Sequence, residues 1–193
     1  EKAVLLIDPW LTGNPSFPDA RRAEAIHGAT HILITHGHFD HVSANKRLKE
    51  VTGAPILIHS LDAPMLDQLS SSAAAWGFTA DNSPQPDKEL NDGDDVAFGH
   101  ITLKVIHTPG HTPGGISLYA ADFVFVGDTL FAGSIGRTDF PGGSFKTLKE
   151  SIRKKLFGLG DHVKVYTGHG PSTTIGEERR ANPFVGENAS YFG

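Results

Sequence analysis

The stretch Ile32-Leu33-Ile34-Thr35-His36-Gly37-His38-Phe39-Asp40-His41 decides most of what the chain discloses. An apolar, largely β-branched run reads as a strand, and it runs into three imidazoles and a carboxylate within six residues. A strand that ends in such a cluster projects several ligand atoms from one rim of a sheet. Neutral imidazole and carboxylate suit Zn, Mn and Fe, and the absence of cysteine excludes thiolate sites. A lone histidine in a polar loop is usually structural. Three of them at alternating and adjacent positions, with an aspartate among them, point to metal binding.

Three later segments repeat the pattern. Val105-Ile106-His107-Thr108-Pro109-Gly110-His111-Thr112-Pro113-Gly114-Gly115 follows a strand-like run and is rich in turn formers. Val124-Phe125-Val126-Gly127-Asp128-Thr129 is an apolar strand ending in a carboxylate, and Val163-Lys164-Val165-Tyr166-Thr167-Gly168-His169-Gly170 ends in a histidine. Glycine beside each ligand allows tight turns and close approach of the backbone to an ion.

At 193 residues, the chain fits one domain, residues 1–193, and can bury a sizeable core. A net charge of −5 gives no reason to expect nucleic acid or an anionic membrane as partner, and no apolar run spans a bilayer. Zero cysteines exclude a disulfide framework and a cysteine nucleophile. The chain begins at Glu1 without Met, and cytoplasm is the default location.

Strands are expected at Ala3–Ile7, His31–Thr35, Pro55–Ile58, Asp95–Phe98, Thr102–His107, Ile116–Tyr119, Phe123–Val126 and Val163–Thr167. Helices are expected at about Asp19–His27, Ala44–Val51, Ala63–Leu69, Phe145–Leu156 and Ile175–Asn182. Asp92-Gly93 reads as a hairpin-type turn, and Ser70 to Pro86 as a surface excursion. The echo of His107-Thr108-Pro109-Gly110 in His111-Thr112-Pro113-Gly114 is a local duplication, not a repeat architecture.

From about Ala3 to Phe184 the sequence resembles the metallo-β-lactamase superfamily, whose HxHxDH motif falls on His36, His38, Asp40 and His41 and whose later ligands fall on His111, Asp128 and His169. The resemblance implies an α/β fold, the αββα sandwich; the family usually has a strand or two before the one at Ala3, and these are expected to be missing here. It also implies two divalent ions (Zn, or Fe or Mn): one on His36, His38 and His111, the other on Asp40, His41 and His169, with Asp128 bridging. Such a pair lowers the pKa of water towards neutrality and polarises a carbonyl under attack. Asp40 and Asp128 would hold the ions and orient the nucleophile.

Gly136-Arg137-Thr138-Asp139-Phe140-Pro141-Gly142-Gly143, Gly168-His169-Gly170-Pro171-Ser172-Thr173-Thr174-Ile175-Gly176-Glu177-Glu178 and Asn182-Pro183-Phe184 are similar to single-domain glyoxalase II proteins. These are hydroxyacylglutathione hydrolases, so the implied substrate is a small-molecule thioester such as S-lactoylglutathione. Arg137 is then a candidate for a substrate carboxylate, although an internal pair with Asp139 competes. Asp139 stands where two-domain glyoxalases have tyrosine, and their glutathione-gripping helical domain has no counterpart here. The Gly-Arg-Thr-Asp-Phe run also occurs in mononuclear iron persulfide dioxygenases, which is the alternative function. Leu6-Ile7-Asp8-Pro9-Trp10-Leu11-Thr12-Gly13-Asn14-Pro15 looks more like the ascorbate-phosphate lactonase-like branch of metal-dependent hydrolases. Natural divergence and recombination both explain the mixture, and a weakly active recombinant scaffold is a further alternative.

Asp8 ends the first strand and either hydrogen-bonds a ligand histidine from behind or forms an Asp-Pro turn. His107 reads as a core or turn histidine or as a donor behind a ligand, and His59 as structural or pocket-lining; Trp10 and Phe17 line the pocket mouth or pack locally.

Overall fold

Short apolar runs separated by helical segments build a parallel sheet in the first part of the chain. The computed structural model describes residues 3–9 and 27–189. The chain divides into two units, one running to Leu90 and including Ala97–Ile101, the other made of Asn91–Val96 and the chain from Thr102 onward.

In the first unit β1 (Leu5–Ile7), β2 (His31–Leu33), β3 (Ile56–His59) and β4 (Lys88–Leu90) pair in that order, all parallel. Leu6 stands opposite Ile32, and Ile32 opposite Ile56. Ile32, Ile34, Ile56 and Ile58 are fully buried, as continuous apolar strands of a parallel sheet should be. They pack with Val42 of α1 (Phe39–Val42), Leu48 of α2 (Asn45–Thr52) and Leu69 of α3 (Leu69–Ala75). Gly53 ends α2 at φ 67° and returns its N–H to the Lys49 carbonyl at 2.9 Å, a left-handed stop that glycine adopts without strain. Because the strands run the same way, Asp8, the Thr35–His36 pair and His59 all emerge on one rim.

A second sheet, whose strands apart from the end of β5 and the first residue of β6 belong to the second unit, has the order β12-β11-β8-β7-β6-β5. The strands of this sheet are β5 (Asp95–Phe98), β6 (Ile101–His107), β7 (Ile116–Ala120), β8 (Phe123–Gly127), β11 (Lys164–Thr167) and β12 (Thr173–Thr174). A small hairpin, β9 (Leu130–Phe131) with β10 (Ser134–Ile135), stands apart from it. β8 and β11 are parallel neighbours, so both deliver their C-terminal ends to the same place. Leu148 of α4 (Phe145–Ser151) and Ile175 of α5 (Ile175–Ala181) join Val124, Val126, Val163 and Val165 in the core. Each such side chain contributes about 1.5–3 kcal/mol of burial.

The eight strands expected from the sequence all form, with ends displaced by at most two residues. β4, β9, β10 and β12 were not expected, because two or three residues are too few for a periodic signal. The expected surface excursion from Ser70 to Pro86 is largely exposed, but its first residues form α3. Its alanines favour helix, and Leu69 and Ala73 turn inward to full burial. The expected helix at Phe145–Leu156 keeps its buried stripe of Leu148, Ile152 and Leu156 but widens to a π turn over Ile152–Leu156. Asp92-Gly93 does turn the chain, with Gly93 at φ 88°, but between strands of different sheets, so it closes no hairpin. Trp10, Phe17 and the expected helix before His27 lie outside the described residues. No helix among the described residues is long and apolar enough to cross a membrane.

Candidate metal centre

In the first unit the histidine motif is shaped by its surroundings. The chain leaves β2 through Ile34, whose N–H still bonds Leu57 of β3 at 2.9 Å, and Thr35 and His36 follow almost wholly buried. A Cβ at Gly37 would meet Met65 Cβ at 2.8 Å and the Asp62 carbonyl at 3.1 Å, which explains glycine between the two histidines. The fully buried Asp62 accepts the Gly37 N–H at 3.0 Å and pins that turn. α1 starts immediately after His38, so Asp40 and His41 sit in successive positions of one helical turn, about 100° apart. The rings of His36 and His41 have centroids 4.0 Å apart, and those of His36 and His38 4.9 Å.

Hydrogen bonding fixes which ring nitrogen of His36 and of His41 can bind an ion. Asp8, at φ 49°, accepts the Thr35 N–H at 2.7 Å and the Thr35 hydroxyl at 2.5 Å. Its Oδ2 also lies 3.0 Å from His41 Nδ1. A carboxylate only accepts, so His41 carries its proton on Nδ1 and keeps the Nε2 lone pair. The Thr35 hydroxyl has spent its proton on Asp8, so at 3.2 Å it accepts from His36 Nδ1–H, leaving Nε2 of that ring as the Lewis base. Asp8 offers a carboxylate oxygen and His36 and His41 each a ring nitrogen, and these three atoms lie within 4.8 Å of one another.

The second unit builds its own cluster on the parallel pair β8 and β11. Gly127 takes φ 50°, the register of β11 shifts between Tyr166 and Thr167, and the Gly168 N–H bonds the Gly127 carbonyl at 2.8 Å. That local irregularity brings His169 beside Asp128. Asp128 Oδ2 lies 3.5 Å from His169 Nε2 and 3.8 Å from His111 Nε2. These spacings are long for hydrogen bonds. Donors held around one ion by bonds of about 2.0–2.2 Å stand roughly 3.3–3.8 Å apart, so the set fits a metal. His41 Nε2 and Asp40 Oδ2 in the first unit show the same spacing, 3.5 Å. His111 Nδ1 lies 2.7 Å from the Arg137 carbonyl and must donate to it, again leaving Nε2 as the ligand atom. His169 has a half-exposed side chain, while that of Asp128 is only 13% exposed, so His169 is the solvent side of this cluster.

Other residues singled out by the sequence take different parts. The Arg137 guanidinium forks onto Asp139 at 2.8 and 2.7 Å and lies over the Phe140 ring, 3.7 Å from its centroid. That hydrogen-bonded guanidinium draws the Asp139 carboxyl down to about 2. His107 Nε2 meets the Pro113 carbonyl at 2.9 Å and so is protonated there, the tautomer opposite to that of the ligand candidates. His59 is buried and accepts the Leu61 N–H at 3.2 Å, closing the turn after β3. Thr35, Asp62 and the Arg137 carbonyl were not found from sequence. Asp62 precedes Ala63-Pro64 and looks like an ordinary helix cap, while a backbone carbonyl has no sequence signature at all.

A family model described as the metallo-β-lactamase superfamily matches residues 1–169. Hydroxyacylglutathione hydrolase GloC of Haemophilus influenzae is 40% identical over 158 residues, covering 80% of this chain and 75% of that protein. Among solved structures, TTHA1623 in a di-iron-bound form aligns with a TM-score of 0.78 and 39% identity, covering 86% of this chain and 85% of its own. The BLEG-1 B3 metallo-β-lactamase aligns with a TM-score of 0.83 and 34% identity, covering 95% and 89%. The strand-end histidines and aspartates, the mixed α/β sheets with their helices and these matches agree: the chain belongs to the metallo-β-lactamase superfamily, a divalent-metal-dependent metallohydrolase superfamily, and has its fold.

Proposed function

We propose that the chain is a dinuclear metallohydrolase cleaving a small thioester such as S-lactoylglutathione. His36, His38 and His111 would hold one divalent ion, Asp40, His41 and His169 a second, and Asp128 would be shared. The observation that carries this is the common tautomer: His36, His41 and His111 each commit Nδ1–H to an oxygen, and so each presents Nε2 as a lone-pair donor. When bound, the ions supply Lewis-acid polarisation of the carbonyl and bring the pKa of water near neutrality.

The chain's own groups do the rest. Asp8 and Thr35 hold two imidazoles from behind, the Arg137 carbonyl holds a third, and Asp128 keeps its carboxylate between His111 and His169. A thiolate departs readily, so a thioester makes little demand for a general acid. The likeness to GloC, together with the run Gly136-Arg137-Thr138-Asp139-Phe140, supports the thioester class.

Arg137 would have to exchange Asp139 for a substrate carboxylate, which weakens its grip on the glutathione end. Little binding energy remote from the reacting carbonyl then remains, and truncating the thiol portion costs little. The test is steady-state kinetics of metal-replete protein on S-lactoylglutathione and on smaller thioesters. We expect a high KM for the former and comparable kcat/KM on the latter. Absence of any thioesterase activity overturns the function, and hydrolysis of a β-lactam in its place redirects it towards the BLEG-1 activity. Tight, saturable binding of S-lactoylglutathione without activity on small thioesters means that the chain grips glutathione through groups other than Arg137.

A further inference from the structure

The run from Thr173 to Phe184 and the hairpin β9–β10 take no part in the chemistry above, yet buried polar contacts join them. Glu178, on α5, and Asn182, just after it, are 4% and 2% exposed. Glu178 Oε1 accepts the Thr173 hydroxyl at 2.7 Å, and Oε2 accepts both the Gly133 N–H at 2.9 Å and Asn182 Nδ2 at 2.7 Å. Asn182 Nδ2 also donates to the Ser134 carbonyl at 2.9 Å, while its Oδ1 accepts the N–H groups of Phe184 and Val185. The tip of the hairpin, Gly133-Ser134, is therefore bound on both its N–H and its C=O sides by one buried carboxylate–amide pair. Gly133 holds φ 70°, which suits that tip.

The other end of the same segment touches the candidate ligands. Two-residue strands are far too short to fix a hairpin by themselves. This one begins two residues after Asp128 and ends directly before Gly136-Arg137. Gly136 packs so closely on the Asp128 carbonyl that a Cβ has no room, and His111 Nδ1 lies 3.2 Å from where that Cβ would stand. The next carbonyl, that of Arg137, accepts from His111 Nδ1. Residues 128–137 thus form a loop whose ends meet two ligand candidates and whose tip is anchored to Glu178 and Asn182.

We infer that Glu178 and Asn182 are positioning residues for the metal centre, setting the aim of His111 and the seat of Asp128 through the β9–β10 hairpin. The inference rests on the reading of His111 and Asp128 as ligands. Its test compares wild type, Glu178→Ala, Glu178→Asp, Glu178→Gln and Thr174→Ala. Two readouts are taken: the His111 Nδ1–H resonance in metal-free protein, and Zn affinity by chelator competition. In wild type the hydrogen-bonded proton gives a downfield, slowly exchanging signal. Glu178→Ala should abolish that signal and weaken Zn by about 10–100-fold, the usual cost of losing a group that orients a ligand. Glu178→Asp withdraws the carboxylate from Gly133 while keeping the charge, and should act in the same direction if Glu178→Ala fails to fold. Glu178→Gln should stay close to wild type, because its oxygen can accept from Gly133 and its amide can donate to Thr173. Thr174→Ala breaks the capping box with Glu177 and lowers Tm, but should leave both readouts alone. The inference is overturned if Glu178→Ala and Glu178→Asp keep the resonance and the affinity, or if Thr174→Ala shifts both equally. If wild type binds no Zn, the metal reading falls, and the His111 resonance still decides the positioning.

Discussion

Replacing Asp8 with asparagine tests the tautomer logic on which the metal centre depends. Asparagine has the same outline and accepts the left-handed backbone at φ 49°, so the exchange is confined to hydrogen bonding. Asp8 now receives three donors: the Thr35 N–H, the Thr35 hydroxyl and His41 Nδ1–H. An amide oriented to keep the Thr35 N–H bond turns its NH2 group towards the hydroxyl and the imidazole. His41 must then move its proton to Nε2, where no ion can bind, or leave two donors facing each other. A flipped amide keeps His41 but loses the Thr35 N–H, which is nearly inaccessible to water. Either way one hydrogen bond to a charged acceptor is lost, worth about 1.5–3 kcal/mol. At about 1.4 kcal/mol per tenfold, that is a fall of roughly 10–100-fold in metal affinity if the whole loss reaches the His41 site. Chelator competition measures the affinity, and long-range 15N–1H spectra of the imidazoles report the tautomer. An Asp8→Asn protein that keeps wild-type affinity, with His41 still protonated at Nδ1, would mean that Asp8 does not set the His41 tautomer.

Further outcomes follow from the same geometry. Protein purified without chelator and supplemented with Zn, Fe or Mn should approach two ions per chain by elemental analysis; a value held at one iron, with oxygen consumption on a persulfide, favours the dioxygenase alternative instead. Asp128→Ala should lower both metal content and turnover, whereas Asp122→Ala should alter stability by no more than about 0.5 kcal/mol, since its side chain is 87% exposed; equal effects would mean the ligand is misassigned. Asp139 should titrate near 2 by carboxyl NMR and return towards its ordinary 3.8 in Arg137→Ala, because the guanidinium hydrogen bond holds it down. A depressed carboxyl stabilises the fold above its unfolded pKa and loses that contribution as pH falls, here between about 4 and 2; an Asp139 titration unmoved by Arg137→Ala refutes the pairing.

The strands and the ligand types were legible in the sequence alone. Ile32-Leu33-Ile34 and Val124-Phe125-Val126 are runs whose burial follows from composition, and each hands the chain directly to histidine or aspartate. The absence of cysteine likewise excludes thiolate donors from composition alone. How those donors are prepared depends on long-range contacts. Asp8 meets Thr35 and His41 across 27 and 33 residues, and the Arg137 carbonyl meets His111 across 26. Glu178 reaches Gly133 across 45. Such pairs leave no periodic trace, because periodicity records only which face of one element is apolar. The choice of ring nitrogen on His36, His41 and His111 depends on groups that only folding brings beside them, and the need for glycine at position 136 exists only once its backbone lies against Asp128.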